Sequence, residues 1–236
     1  MILAATRLAE IMSFDPVRPS GMPGRDCARC PRLVAFRQTW RQSEPDWFNA
    51  PVDSFGRSDA RLLIVGLAPG LRGANRTGRP FTGDYAGDLL YATLAEFGFA
   101  RGHYAASADD GLELLDCRIT NAVRCVPPDN KPTPQEITTC RDYLKAAIAE
   151  MNNLRAVVAL GRIAHESFVQ ASGERRSQFP FAHGRAHVLA NVLAKVLAPL
   201  TLLDSYHCSR YNTNTGVLTP QMFRDVIGQA RKLIDA

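Results

Sequence analysis

The sequence predicts an α/β domain built on a parallel sheet with helices on both faces. Three observations carry that reading. Short apolar runs recur along the chain, stretches of helical length alternate with them, and the longest irregular segments follow the ends of the apolar runs. The 236 residues are enough for one large domain with a substantial core. We expect a single domain over 1–236, with residues 1–22 as an N-terminal helical extension.

Taken in order, residues 4–12 have the apolar spacing of a helix, and the Pro- and Gly-rich stretch 13–23 is a connector. A second helix is predicted over 27–38, opened by CARC, and an irregular loop over 44–59. The first strand is 61–66 (RLLIVG), continuously apolar as a strand buried on both faces must be. A helix follows over 87–97. The second strand, 115–121 (LDCRITN), is more mixed and is followed by a helix over 134–151. The third, 156–161 (AVVALG), is apolar again and leads into a helix over 163–172. The fourth, 200–205 (LTLLDS), precedes a last helix over 220–234.

Composition excludes few classes. The chain is 46% hydrophobic and 22% charged, ordinary for a globular protein. No apolar run reaches the ~18–20 residues of a membrane span. Arg7 and Glu10 interrupt the apolar start, so no signal peptide is read there. The expectation is a cytoplasmic monomer with no membrane partner. A net charge of +5 and a pI near 9.0 suit a polyanion partner, though many proteins are this basic.

In parallel α/β folds, ligands bind beyond the carboxyl ends of the strands. The loops there are the unusual parts of this sequence. Residues 66–87 read GLAPGLRGANRTGRPFTGDYAG. This loop is neither a P-loop nor a dinucleotide fingerprint, and a phosphate site and a plain turn are equally credible for it. Asn121 ends the second strand. Its amide could donate to O4 and accept from N3–H of a pyrimidine; a turn-forming Asn is the plain alternative. His207 follows the fourth strand, where it could stabilise charge on a leaving group or be a structural histidine.

Six cysteines are present. Cys27 and Cys30 form a C-x-x-C, and Cys125 with Cys140 is the natural second pair. Four thiolates suit an iron–sulfur cluster or a structural zinc, and spacing does not choose between them. Cys117 lies within a predicted strand and reads as core. Cys208 is left open.

Together, GLAPG…NRTGRPFTGD, TNAVRCVPP, the C-terminal H-x-S-R-x-N-T-N-T-G and the four cysteines resemble the type 4 and type 5 iron–sulfur uracil-DNA glycosylases, from about Cys27 to the end of the last helix. Ala68, where other classes of that superfamily carry a carboxylate, and the ANRTGRPFTGD form of the first loop favour type 5. Cys208 departs from the pattern, which usually has Pro there, as does Tyr211, where Gln is frequent.

The resemblance implies a three-layer α/β/α sandwich on a four-stranded parallel sheet. It implies a 4Fe-4S cluster held by Cys27, Cys30, Cys125 and Cys140. The implied partner is DNA carrying uracil or other deaminated bases, cut at the N-glycosidic bond to leave an abasic site. Gly66 and Ala68 would shape the pocket. Phe81 would stack on the base, with a core aromatic as the competing role, and Asn121 would read its edge. His207 would hold charge on O2. Asp84, the one carboxylate of the first motif, is the candidate to position water; its other role is a loop cap. Asn75 is the alternative for the water. Ser209, Arg210 and Asn212 would meet the DNA backbone. Neither the first-loop motif nor the His207 motif contains a lysine, so no Schiff base and no strand cleavage are expected. Two further classes stay open: a non-catalytic metal-stapled DNA-binding module and an enzyme acting on free nucleotides.

Overall fold

The structure, a computed structural model, describes residues 22–189 and 199–236. The helix expected over 4–12 lies outside them. Three parallel neighbours run inward from one edge of the sheet: β4 (Cys117–Asn121) at the edge, then β1 (Leu62–Gly66) and β5 (Ala156–Leu160), every residue of them buried. β7 (Leu200–Ser205) continues the parallel set beside β5. Successive side chains of a strand point to opposite faces. Leu62 and Ile64 therefore join one core with α3 (Tyr85–Glu96) and α7 (Pro220–Asp235), through Leu90, Leu94, Phe223 and Ile227. Leu63 and Val65 join another with α4 (Pro134–Ala149) and α5 (Arg162–Ala171), through Leu144, Ile148 and Phe168. This is the expected α/β/α sandwich.

The sheet has five strands where the sequence predicts four, in the order β4-β1-β5-β7-β6. The extra strand, β6 (Ala186–Leu189), pairs antiparallel with β7 at the edge. Its four residues alternate exposed and buried, too short a pattern to stand out in the sequence. A two-stranded ribbon, β2 (Ala100–Arg101) with β3 (Glu113–Leu114), also goes beyond the prediction.

The helix expected over 27–38 is α1 (Pro31–Ser43). Pro31 occupies its first turn, where a fixed φ and a missing N–H are harmless, so Cys30 becomes the N-cap and Cys27 stays in the preceding turn. α4 starts where Thr133 and Glu136 form a reciprocal capping box. Two short helices lie inside the loops: α2 (Ala74–Thr77) and α6 (Arg210–Asn214). No described helix is long and apolar enough to cross a membrane.

Candidate active site

Parallel pairing brings the ends of β1, β4 and β7 to one edge of the sheet. Gly66 and Asn121 are register partners there, and His207 lies just past the end of β7. The loops leaving this edge enclose a cavity of about 620 Å³, within the ~300–1,000 Å³ of small-molecule pockets. Ala68, Phe81, Asp84, Asn121, His207, Ser209 and Arg210 all line it.

The floor depends on glycine. A Cβ at Gly66 would sit 2.4 Å from Asn121 Oδ1 and 2.6 Å from the Phe81 ring, so only glycine lets the two approach the strand end. Asn121 is 2% exposed, and its Oδ1 is buried without a hydrogen-bond partner. Buried acceptors are rarely left so, because an unmade bond costs about 1–3 kcal/mol. Phe81 has φ +52, a conformation that non-glycine residues seldom take. Its loop is heavily secured. The Tyr91 hydroxyl donates to Pro80 O (2.6 Å) and that of Tyr104 to Phe81 O (3.2 Å). Arg79 donates from Nε to Thr82 Oγ1 (2.7 Å) and pairs with Asp110 (2.7 Å). Thus held, the Phe81 ring lies with its centroid 5.9 Å from that of His207, inclined by 30°.

Asp84 is the N-cap of α3 and accepts from Gly87 N. Gly70 and Gly73 crowd its carboxylate: a Cβ at either would come within 3.0 or 2.4 Å of Oδ2. Burial raises its pKa, opposed by the N–H groups of Gly87 and Ala86. Burial acts on His207 in the other direction and pushes its pKa down to about 4, so the ring is neutral at pH 7. Next to it, the Cys208 thiol donates to Ala86 O (3.4 Å), and burial pushes that thiol up to about 12. Cys208 is therefore a neutral tie between the His207 loop and the start of α3, with no thiolate to act as a nucleophile.

Gly66, Asn75 and Asn212 do not line the cavity. Gly66 acts through the close packing just described. Asn75 folds into α2 and is buried, donating from Nδ2 to Asn49 Oδ1 (2.9 Å). Asn212 donates to His207 O (2.8 Å), bracing the loop from behind. The lining also includes Arg72, Tyr85 and Asn130, none of which the motif reading singled out. Asn130 belongs to a turn in which it and Asp129 both have positive φ, +55 and +54. The Asp129-Asn130 pair between prolines was the available signal, since both residue types tolerate that conformation.

Cys27, Cys30, Cys125 and Cys140 converge on a second, small cavity beside Leu33, Val123 and Tyr143. Cys117 is fully buried in β4, away from this group. N–H donors face two of the four sulfurs: Arg124 N to Cys140 (3.3 Å) and Arg37 Nη1 to Cys125 (3.6 Å). Arg37 and Arg124 are buried, and the Nε of each lacks a partner. Burial first, with the neighbouring cysteines adding to it, raises the Cys125 thiol to about 12 and the Cys30 thiol to about 11. Two buried guanidiniums against four thiols form a place for anionic sulfur, which a bound metal supplies by displacing the protons. The set is thus a candidate metal site.

The chain is thus an α/β/α sandwich on a mostly parallel sheet, with a cavity at its strand ends lined by an amide, an aromatic ring and a neutral histidine. The Uracil DNA glycosylase superfamily model matches residues 54–231, and the chain belongs to that superfamily. A type-5 uracil-DNA glycosylase of Thermus thermophilus is 44% identical over 213 residues, covering 88% of this chain and 93% of the relative. Those of Mycobacterium bovis (41% over 216 residues; 88% and 78%) and Pyrobaculum aerophilum (39% over 209; 87% and 88%) are similar over most of their length. A type-4 uracil-DNA glycosylase of Pyrobaculum aerophilum is 31% identical over 164 residues, covering 69% of each chain.

Proposed function

We propose that the protein excises uracil from DNA by hydrolysing the N-glycosidic bond, leaving an abasic site without cutting the strand. One observation carries most weight: Asn121 offers an unpartnered buried acceptor to the cavity. A uracil turned out of the helix brings the complement, an N3–H donor beside an O4 acceptor for the Asn121 amide. Phe81 supplies a flat apolar face at the same floor. As the bond breaks, negative charge gathers on the base. His207, neutral, donates an N–H to O2 and strengthens that contact only as the charge grows, which lowers the barrier. Asp84, held by the start of α3, orients the water that completes the reaction. Among the described residues no lysine lines the cavity, which supports base release without capture of the abasic sugar as a Schiff base.

Within this reading Ser209 and Arg210 meet the DNA backbone at the cavity mouth, with Asn212 bracing them. Type 5 is favoured over type 4 because the type-5 relatives cover more of the chain at higher identity. The four cysteines hold a 4Fe-4S cluster that staples the turn before α1 to the loop before α4. Among the described residues the sole group of three or more ligand atoms within 4.8 Å of one another is His165, His187 and Asp204, so the sulfurs are spread wider. A tetrahedral zinc with Zn–S near 2.3 Å holds its sulfurs roughly 3.8 Å apart, which suits this set less well than a multi-iron cluster. The lack of a carboxylate at Ala68 leaves room for other deaminated bases.

The deciding experiment incubates the protein with uracil-containing duplex, the same single strand and free dUMP. Free uracil and an alkali-labile intact strand from DNA, with dUMP untouched, is the expected result. Binding without base release, or release from dUMP alone, would overturn the proposal.

A further inference from the structure

Beside the cavity, on the same edge of the sheet, lies a second group of rings that the mechanism above does not use. Tyr206 immediately precedes His207 and is 36% exposed. The His183 ring stacks on it, with centroids 4.8 Å apart and planes inclined by 13°. Phe181 extends the surface, 6.1 Å from Tyr206 and tilted by 52°. The Arg162 guanidinium sits 6.0 Å from the Phe181 centroid. The two sites are continuous: a Cβ on Gly161, next to Arg162, would be 3.6 Å from His207 Cβ.

This ledge is fixed from beneath. The Tyr206 N–H donates to His183 Nδ1 (3.1 Å), which sets the ring's tautomer and its plane. The turn bearing Phe181 and His183 is anchored to Asp204 of β7. Asp204 Oδ2 accepts from Ala182 N (3.0 Å), and Gly184 N donates to Asp204 O (2.8 Å). Asp204 is fully buried between two histidines, with His165 Nδ1 2.6 Å from Oδ1 and His187 Nε2 3.0 Å from Oδ2. His165 also donates from Nε2 to Phe179 O (2.7 Å), at the start of the same turn. These contacts fasten residues 179–187 to β7, which delivers His207, and, through His165, to α5. A buried acid and two buried histidines are a costly way to hold a surface turn, and the result is a fixed set of rings beside a cation, with Tyr206 exposed and Phe181 and His183 partly so.

We propose that the His183–Tyr206–Phe181 ledge binds an unstacked nucleobase, that of the nucleotide next to the extruded one on the same strand, with Arg162 drawing in the adjoining phosphate. The inference rests on the proposed action on DNA. Extruding one nucleotide unstacks its neighbours, so a base is available next to the cavity. Fixed aromatic faces beside Arg are how proteins hold single-stranded bases irrespective of sequence.

The test is fluorescence anisotropy with a labelled single strand carrying one uracil that a 2′-fluoro group protects from excision. A baseless tetrahydrofuran residue is moved stepwise through the flanking positions. One adjacent position is expected to weaken binding about 10-fold when its base is absent, within the range for one base on an aromatic face. Tyr206→Leu, and independently His183→Gln, which keeps an acceptor for the Tyr206 N–H, should bind the intact strand about 10-fold more weakly and lose sensitivity at that position. Native protein indifferent to every flanking base overturns the ledge. So does a folded variant as sensitive as the native protein, or sensitivity found only on the complementary strand of a duplex. Binding is read without base release, so failure of the excision reading is seen separately, as native protein that leaves ordinary uracil DNA intact.

Discussion

Removing the Asn121 side chain separates a recognition role from a structural one. In the native fold Oδ1 is buried and unpartnered, so Asn121→Ala deletes a group that contributes no hydrogen bond there and relieves part of a desolvation penalty of about 1–3 kcal/mol. Against that stands lost packing on Gly66 and Phe81, limited because the side chain borders an existing cavity. Unfolding free energy should therefore stay within about 1 kcal/mol of native or rise. Excision should behave oppositely. Losing one or two hydrogen bonds to the base raises the barrier by roughly 1–3 kcal/mol, or slows single-turnover release roughly 5- to 150-fold. DNA affinity should barely change, since backbone contacts dominate it. Urea unfolding, single-turnover release and anisotropy on one preparation give the three numbers. A folded variant that excises at the native rate, or one destabilised by more than about 2 kcal/mol, would refute the reasoning.

Other expectations follow from the same geometry. Purified protein should be brown with about four irons per chain, and Cys125→Ser should lower Tm more than Cys117→Ser; stoichiometric zinc, or equal losses, would contradict the cluster. Asp110→Ala strands the buried Arg79 guanidinium and should cost ~3–5 kcal/mol in urea unfolding, while loosening the loop that presents Phe81. His207→Ala should slow release roughly 10²–10³-fold with abasic-site binding retained, whereas Cys208→Ala should stay active; an inactive but folded Cys208→Ala would revive a thiol nucleophile. With His207 held near 4, against ~6.5 in the unfolded chain, its stability contribution is complete above 6.5 and lost as pH falls from 6.5 towards 4, because the unfolded chain takes up the proton first. Urea unfolding across that window should show a shallower decline in His207→Ala than in native protein.

The parts of the fold that could be read in the sequence are those with one dominant local cause. β1 announces itself because both its faces are buried, leaving an unbroken apolar run. The helix read over 134–151 is found as α4. That Asn121 and His207 line the cavity was legible because both stand at strand ends, where ligand pockets of parallel sheets open. Long-range partnerships left no such mark. Nothing near Arg79 in sequence reveals that Asp110 neutralises it, 31 residues on. The partner of Asn75 was equally hidden: its amide donates to Asn49, from a loop 26 residues earlier. β6 stayed hidden because His187 faces inward to meet Asp204, and a polar residue at a buried position erases the alternation of a four-residue strand.

Burial acts on Asp84 and His207, two of the titratable groups that line the cavity, with opposite results, and the proposed mechanism depends on that opposition. The same desolvation lowers His207 and raises Asp84, disfavouring charge on both. Asp84 alone has compensation, from the N–H groups at the start of a 12-residue helix and the dipole they carry. Those N–H groups favour a charged Asp84 against its burial, and the imidazole beside it is neutral at pH 7, in a pocket that Arg72 and Arg210 also line. A cationic His207 would compete with the sugar for that carboxylate and would stabilise the bound base before the bond had begun to break. In the proposed mechanism a neutral His207 would make only a modest hydrogen bond to uncharged uracil and a much stronger one to the departing anion, with the Asp84 carboxylate facing the cationic sugar. Both stabilisations then appear as charge separates, in a site where low dielectric enlarges them. On this proposal the partial burial of His207 itself contributes to catalysis: a variant that hydrates the ring further should raise its pKa and slow single-turnover release while every named contact is kept, and an unchanged rate would refute that step.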